Sequence, residues 1–205
     1  MVAIIDYGVG NLFSLQSSFA AIGEDAAVTA DPDAIHAADR VILPGVGAFE
    51  DAARKLRESG LDSVVKTEAA AGKPLMGICL GMQMLFERSY EYGVHEGLGL
   101  LKGEIRPIAE RIPESLKIPQ MGWNALQIRR ESPLLKYTRE GDCVYFVHSY
   151  SAVNCEESLL ATAEYGTDLT ACVGLGNIYG CQFHPEKSGS VGLKILKAFC
   201  EGGRT

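Results

Sequence analysis

No two of the six cysteines (Cys79, Cys143, Cys155, Cys172, Cys181 and Cys200) stand at C-x-x-C spacing. That argues against a structural zinc site and against a disulfide framework. Scattered thiols fit a reducing compartment, so a cytoplasmic location is expected. No stretch reaches the roughly 18 apolar residues of a membrane span. The apolar opening Met1 to Tyr7 is short and has no basic lead, so no signal peptide is expected there. Positive charge is also scarce. Lys and Arg number 19 against 26 Asp and Glu, for a net charge of −7. A nucleic-acid partner would want a basic face instead. Low-complexity segments, internal repeats, linkers and long runs of like charge are missing too, which leaves no tail to assign. One domain over residues 1–205 is expected, long enough to bury roughly 70% of its unfolded surface. No metal, cofactor, nucleic acid or membrane is called for.

What is present begins as alternating strands and helices. Val2 to Asp6 reads as a buried strand, followed by a turn at Tyr7-Gly8-Val9-Gly10 and a helix capped by Asn11 and running to Ala21. A strand at Ala26 to Thr29 and another at Val41 to Leu43 follow. Helices are expected at Phe49 to Glu58 and Leu61 to Ala71. Pro74 to Ile78 is a further apolar strand, and Met82 to Arg88 has a helical pattern. From Gly103 on the pattern turns strand-like: Met121 to Ile128, Asp142 to Ser149, Leu159 to Tyr165, Leu169 to Gly174 and Ile178 to Phe183. Ser188 caps a last helix from about Val191 to Cys200. The fold class expected is α/β, doubly wound, with a mostly parallel central sheet and antiparallel additions in the C-terminal half.

Cys79 sits between a strand and a helix in Gly77-Ile78-Cys79-Leu80-Gly81. A turn there lifts the thiol above the sheet, and a helix N-terminus favours the thiolate, which makes Cys79 a candidate nucleophile. Pro44-Gly45-Val46-Gly47 ends another strand. It is either a plain turn or, beside Cys79, a source of oxyanion donors together with the Leu80 N–H. His184-Pro185-Glu186 follows a strand and offers a base with a carboxylate to orient it. Read blandly it is a surface turn. His148 competes as the base on spacing alone, whereas His36 and His95 lie in polar surroundings. Gly8-Val9-Gly10, with Phe13 in place of a third glycine, reads as a βα turn rather than a phosphate cradle. Tyr145 to Tyr150 is an aromatic strand that either fills the core or walls a pocket. Trp123, the one tryptophan, is either a core anchor or an interface residue.

Gly77-Ile78-Cys79-Leu80-Gly81-Met82-Gln83 with His184-Pro185-Glu186 resembles the class I (triad) glutamine amidotransferases. Further segments narrow the resemblance: Asp6 to Leu12, Pro44 to Phe49, Pro119 to Asn124, Tyr145 to Tyr150 and Gln182 to Ser188. In order, they are similar to the subfamily of glutaminase subunits of imidazole glycerol phosphate synthases. A glutaminase serving another synthase of the superfamily is the alternative. An interaction subunit with a retired site is disfavoured by the intact Cys79, His184 and Glu186.

The resemblance implies that Cys79 attacks the glutamine side-chain amide, His184 carries the proton and Glu186 orients His184. It implies oxyanion donors at Leu80, Val46 and Gly47, and glutamine contacts at Gly47, Gln83, Ser149 and Tyr150. His148 becomes part of the pocket strand. It further implies a heterodimer with a (β/α)8-barrel cyclase, to which ammonia is channelled, with Trp123, Tyr145 and Lys187 near the interface. The two glycines around Val46 add an expectation of regulation by peptide rotation in the oxyanion strand.

Overall fold

The computed structural model describes residues 1–202. Its first strand, β1 (Val2–Ile5), is buried along its whole length. Alternate side chains leave on opposite faces. Val2 and Ile4 join an apolar cluster with Leu15 and Phe19 of helix α1 (Leu12–Ala21) and Ile195 and Phe199 of the last helix. Ala3 and Ile5 join another, with Ile35, Leu56 and Val65 from the opposite helical layer. Both faces of the sheet are covered at β1, which is why this strand is apolar throughout instead of alternating.

After α1 come β2 (Ala26–Thr29), α2 (Pro32–Ala37), β3 (Arg40–Leu43), α3 (Phe49–Glu58), α4 (Leu61–Ala70), β4 (Leu75–Ile78) and α5 (Leu80–Met84). Then follow β5 (Arg88–Ser89), β6 (His95–Glu96), β7 (Glu104–Pro107), β8 (Gln120–Ile128), β9 (Cys143–His148), β10 (Tyr150–Val153), β11 (Leu159–Glu164), β12 (Asp168–Leu175), β13 (Ile178–Cys181) and α6 (Gly189–Glu201). The main sheet has nine strands in the order β2-β1-β3-β4-β13-β12-β11-β8-β9. Pairing is parallel from β2 through β4 to β13 and antiparallel from β13 to β9. A second sheet has four strands, β10-β7-β5-β6.

The expected α/β sheet is present, with informative differences. The strand expected at Ile178 to Phe183 as an antiparallel addition is antiparallel to β12 but parallel to β4. It is the seam between the two halves. The helical pattern from Met82 to Arg88 stops at Met84, because Arg88 and Ser89 pair with Glu104 and Ile105. Helix α1 follows Asn11, whose side chain makes no capping bond. Ser188 precedes α6 without capping it, since its hydroxyl donates to the His184 carbonyl at 2.6 Å. Helix α2 was not anticipated, although Asp31 accepts the Asp33 N–H at 3.1 Å and Pro32 opens the helix. The second sheet was not anticipated either. Two of its strands have only two residues, too few to display a period.

The chain after β3 lies directly against the start of α5, and this close approach sets the glycine pattern. A Cβ on Gly45 would sit 2.6 Å from the Gly81 nitrogen. A Cβ on Gly81 would overlap the Leu43 carbonyl oxygen. Gly81→Ala is therefore expected to destabilise the fold by about 3 kcal/mol, the upper range for overpacking a tight site. Denaturant unfolding of the variant beside the parent checks this.

Candidate active site

Strands β4 and β13 run in parallel register, with Ile78 opposite Cys181. The next residues, Cys79 and Gln182, come level beyond the C-terminal ends of the strands, where ligands gather in open α/β sheets. The Cys79 N–H still bonds to the Cys181 carbonyl at 2.7 Å. Cys79 then turns sharply, at φ 53° and ψ −113°, into α5. For a residue with a Cβ this is strained backbone, of order 1–3 kcal/mol. Leu80 is the first residue of the helix, where backbone N–H groups have no intrahelical partner.

His184 follows β13, and the 3₁₀ turn Pro185–Lys187 bends Glu186 back onto its ring. His184 Nδ1 lies 2.8 Å from Glu186 Oε1, with both side chains buried. Nδ1 donates to the carboxylate, so Nε2 is left for Cys79. Burial disfavours the imidazolium. The hydrogen bonds and charges of Cys79 and Glu186 outweigh it and push His184 up to about 9.

The turn is fastened to β9. The His184 N–H donates to the Tyr145 carbonyl at 3.0 Å, and the Tyr145 N–H donates to Ser188 Oγ at 3.0 Å. The pocket side of β3 is fastened as well. The Tyr7 hydroxyl donates to the Pro44 carbonyl at 2.7 Å. Burial first, and the charge of Cys79 second, hold the Tyr7 phenol far above its usual range. Gly47 has φ +94° with open space around its Cα, so it is the conformation there that favours glycine.

A cavity of about 500 Å³ opens over Cys79. Val46, Gly47, Leu80, Gln83, Ser149, Tyr150 and His184 all line it. The structure thus brings together the expected nucleophile, base, oxyanion and glutamine-contact residues, with Glu186 behind His184. Trp123, Tyr145 and Lys187 lie outside the cavity wall. Trp123 is 56% exposed and pairs across the strands with Tyr145, ring centroids 6.0 Å apart. Lys187 is exposed one residue beyond Glu186. Trp123 is therefore a surface residue and not a core anchor.

His148 lies in the cavity wall, with a backbone carbonyl and not a carboxylate at its ring. Its Nδ1 lies 2.8 Å from the Tyr150 carbonyl, and burial lowers it to about 4, helped by the nearby charge of His184 and opposed by the Tyr150 bond. Glu91 was not anticipated. It lines the same cavity and accepts the Phe49 N–H at 2.7 Å through Oε2. Burial pushes its carboxyl up, against the Phe49 N–H and His95. Gln182 was anticipated only as part of a motif. Its Nε2 lies 3.8 Å from Cys79 Sγ. Among the described residues no group of three or more His, Cys, Asp or Glu could hold a metal.

A buried thiol beside an imidazole and a carboxylate, with helix-start N–H groups at hand, is equipment for thiol-based acyl transfer. Among known families, the model of glutamine amidotransferase class-I matches residues 3–201, and the chain belongs to that family. It is 52% identical over 202 residues to the imidazole glycerol phosphate synthase subunit HisH of Bacillus licheniformis, covering 97% of this chain and 95% of that one. With the HisH subunit of Wolinella succinogenes it shares 50% over 205 residues, covering 99% and 100%. Among solved structures, one described as a glutamine amidotransferase superposes with a TM-score of 0.76 at 19% identity, covering 98% of each chain. PurLQS from Thermotoga maritima superposes with a TM-score of 0.73 at 20% identity, covering 98% and 97%. At that identity these two bear on the fold alone.

The depressed His148 makes stability depend on acidity. It is neutral in the folded chain and takes up a proton on unfolding. Folding is undisturbed by it above pH 6.5 and weakens as the pH falls from 6.5 towards about 4. The expected loss is about 3 kcal/mol. His148→Gln should flatten that acid limb, as read from unfolding curves at the two ends of the window.

Proposed function

We infer that this chain is the glutaminase subunit of an imidazole glycerol phosphate synthase. The observation that carries the chemistry is the parallel pairing of β4 with β13, which sets Cys79 beside His184 while Glu186 holds the ring at 2.8 Å. His184 Nε2 takes the Cys79 proton, and the sulfur attacks the side-chain amide carbon of glutamine. Negative charge gathers on the amide oxygen, within reach of the Leu80 N–H and the Val46-Gly47 segment that line the same cavity. His184 then gives its proton to the departing ammonia. A water, deprotonated by His184, attacks the γ-glutamyl thioester, and the thiolate leaves with release of glutamate.

Gly47, Gln83 and the Ser149-Tyr150 backbone hold the backbone groups of the substrate. Glu91 adds a carboxylate on the cavity wall for the α-ammonium group.

The surface beside the cavity suits a docking partner. Ile118, Met121 and Trp123 are exposed apolar residues, and Ile118 lines the cavity itself. With Tyr145 and Lys187 they form the face for a (β/α)8-barrel cyclase. That cyclase receives the ammonia and uses it on a phosphoribulosyl-formimino carboxamide nucleotide. The products are imidazole glycerol phosphate, on the route to histidine, and an aminoimidazole carboxamide ribotide. The heterodimer works in the cytoplasm. Acceptor binding in the cyclase favours the competent orientation of the oxyanion strand around Gly47.

Ammonia release from glutamine, measured for the chain alone, with the cyclase, and with cyclase plus an acceptor analogue, should rise across the series. No release in any of the three would sink the glutaminase reading, and equal release in all three would sink the regulation. Glu91→Gln should raise KM for glutamine about tenfold with kcat within about twofold, the signature of lost ground-state binding. Steady-state kinetics of the complex separate the two constants.

A further inference from the structure

We propose that Gln182 is a further catalytic residue, a fixed N–H donor to the Cys79 sulfur. The inference rests on Cys79 as the nucleophile and adds a second group that touches the reacting atom. Gln182 Nε2 lies 3.8 Å from Cys79 Sγ, and the residue is 0% exposed. The strand register explains the contact. Cys181 pairs with Ile78, so Gln182 comes level with Cys79, and His184 follows two residues on.

The polarity of the amide is set by a chain of hydrogen bonds that starts at a group able only to accept. The Tyr150 carbonyl receives Gln83 Nε2–H at 3.1 Å. Gln83 must therefore turn its amino end towards that carbonyl. The same Nε2 donates to Gln182 Oε1 at 3.0 Å. With its oxygen so committed, Gln182 presents its amino end to the sulfur. His148 reinforces the origin of the chain, since its Nδ1–H donates to the same Tyr150 carbonyl at 2.8 Å.

A carboxamide N–H cannot accept the thiol proton, so Gln182 does not compete with His184 as base. It stabilises sulfur wherever sulfur carries negative charge. That happens after His184 takes the proton and again when the thiolate leaves the thioester. Gln83, already placed against the substrate, becomes the group that aims it.

The test compares the parent chain with Gln182→Glu and Gln182→Met. The Glu side chain keeps the shape and still accepts from Gln83, but sets an acceptor against the sulfur. The Met side chain keeps the length and has no polar end. Iodoacetamide alkylation of Cys79 is followed across pH, with the ultraviolet thiolate absorbance and thermal melting as companions, and ammonia release is measured with the cyclase present. In both variants the alkylation curve should move to higher pH, and kcat/KM should fall by about 10- to 100-fold, the scale of one lost transition-state donor. An alkylation curve unchanged in a folded Met variant overturns the proposal, even if the Glu variant shifts, since charge repulsion would then suffice. If the Met variant does not fold, Gln182→Leu, equally without a polar end, takes its place, and an alkylation curve unchanged in that folded variant overturns the proposal. Failure of Cys79 to react in the parent chain would instead sink the nucleophile itself.

Discussion

The site depends on one pairing, that of β4 with β13. The two strands come from different halves of the chain. One belongs to the wound N-terminal half, and the other is formed roughly a hundred residues later in the antiparallel half. Their parallel register brings the sulfur, the imidazole and the Gln182 amide to one level. A slip of one residue would turn Gln182 and His184 to the other face of the sheet. The buried apolar side chains of both strands prevent that slip, because they would have to leave the two helical layers. Core packing and the geometry of the candidate site are here the same constraint.

Around that seam, polar groups are held by partners of fixed character. The Tyr7 hydroxyl holds the Pro44 carbonyl, the Tyr150 carbonyl orders Gln83, and Ser188 closes the turn that carries His184 and Glu186. Each is a buried or half-buried group whose partner, if lost, would leave an unsatisfied donor or acceptor. The arrangement holds strain at the positive φ of Cys79 and surrounds it with bonds that keep the turn in place.

The wound sheet was legible because its short, mostly apolar strands alternate with helices. Val2 to Ile5 and Phe49 to Glu58 came out close to where the sequence placed them. The candidate residues Cys79, His184 and Glu186 could be picked out because they sit in local motifs, and the structure brings them to one cavity edge. What was not legible is set by distance along the chain. Nothing near Ile178 announces a parallel partner at Leu75. Nothing near Glu91 announces that its carboxylate will meet the Phe49 N–H and line the cavity. The strands Arg88–Ser89 and His95–Glu96 are too short to show a period. Ser188 looked like a helix cap because serine is a good one, but tertiary structure gave its hydroxyl a stronger claim.

Strand β9 lies at the edge of the nine-stranded sheet, and Tyr145 on it holds the turn that carries His184 and Glu186 through both its backbone groups. Side-chain identity at position 145 is thereby uncoupled from the attachment. The aromatic surface that Tyr145 shares with Trp123 can be changed without touching the attachment, because the fastening to His184 and Ser188 uses backbone groups that every residue but proline supplies. Exposure of the side chain and anchorage of the turn meet at one residue through separate atoms.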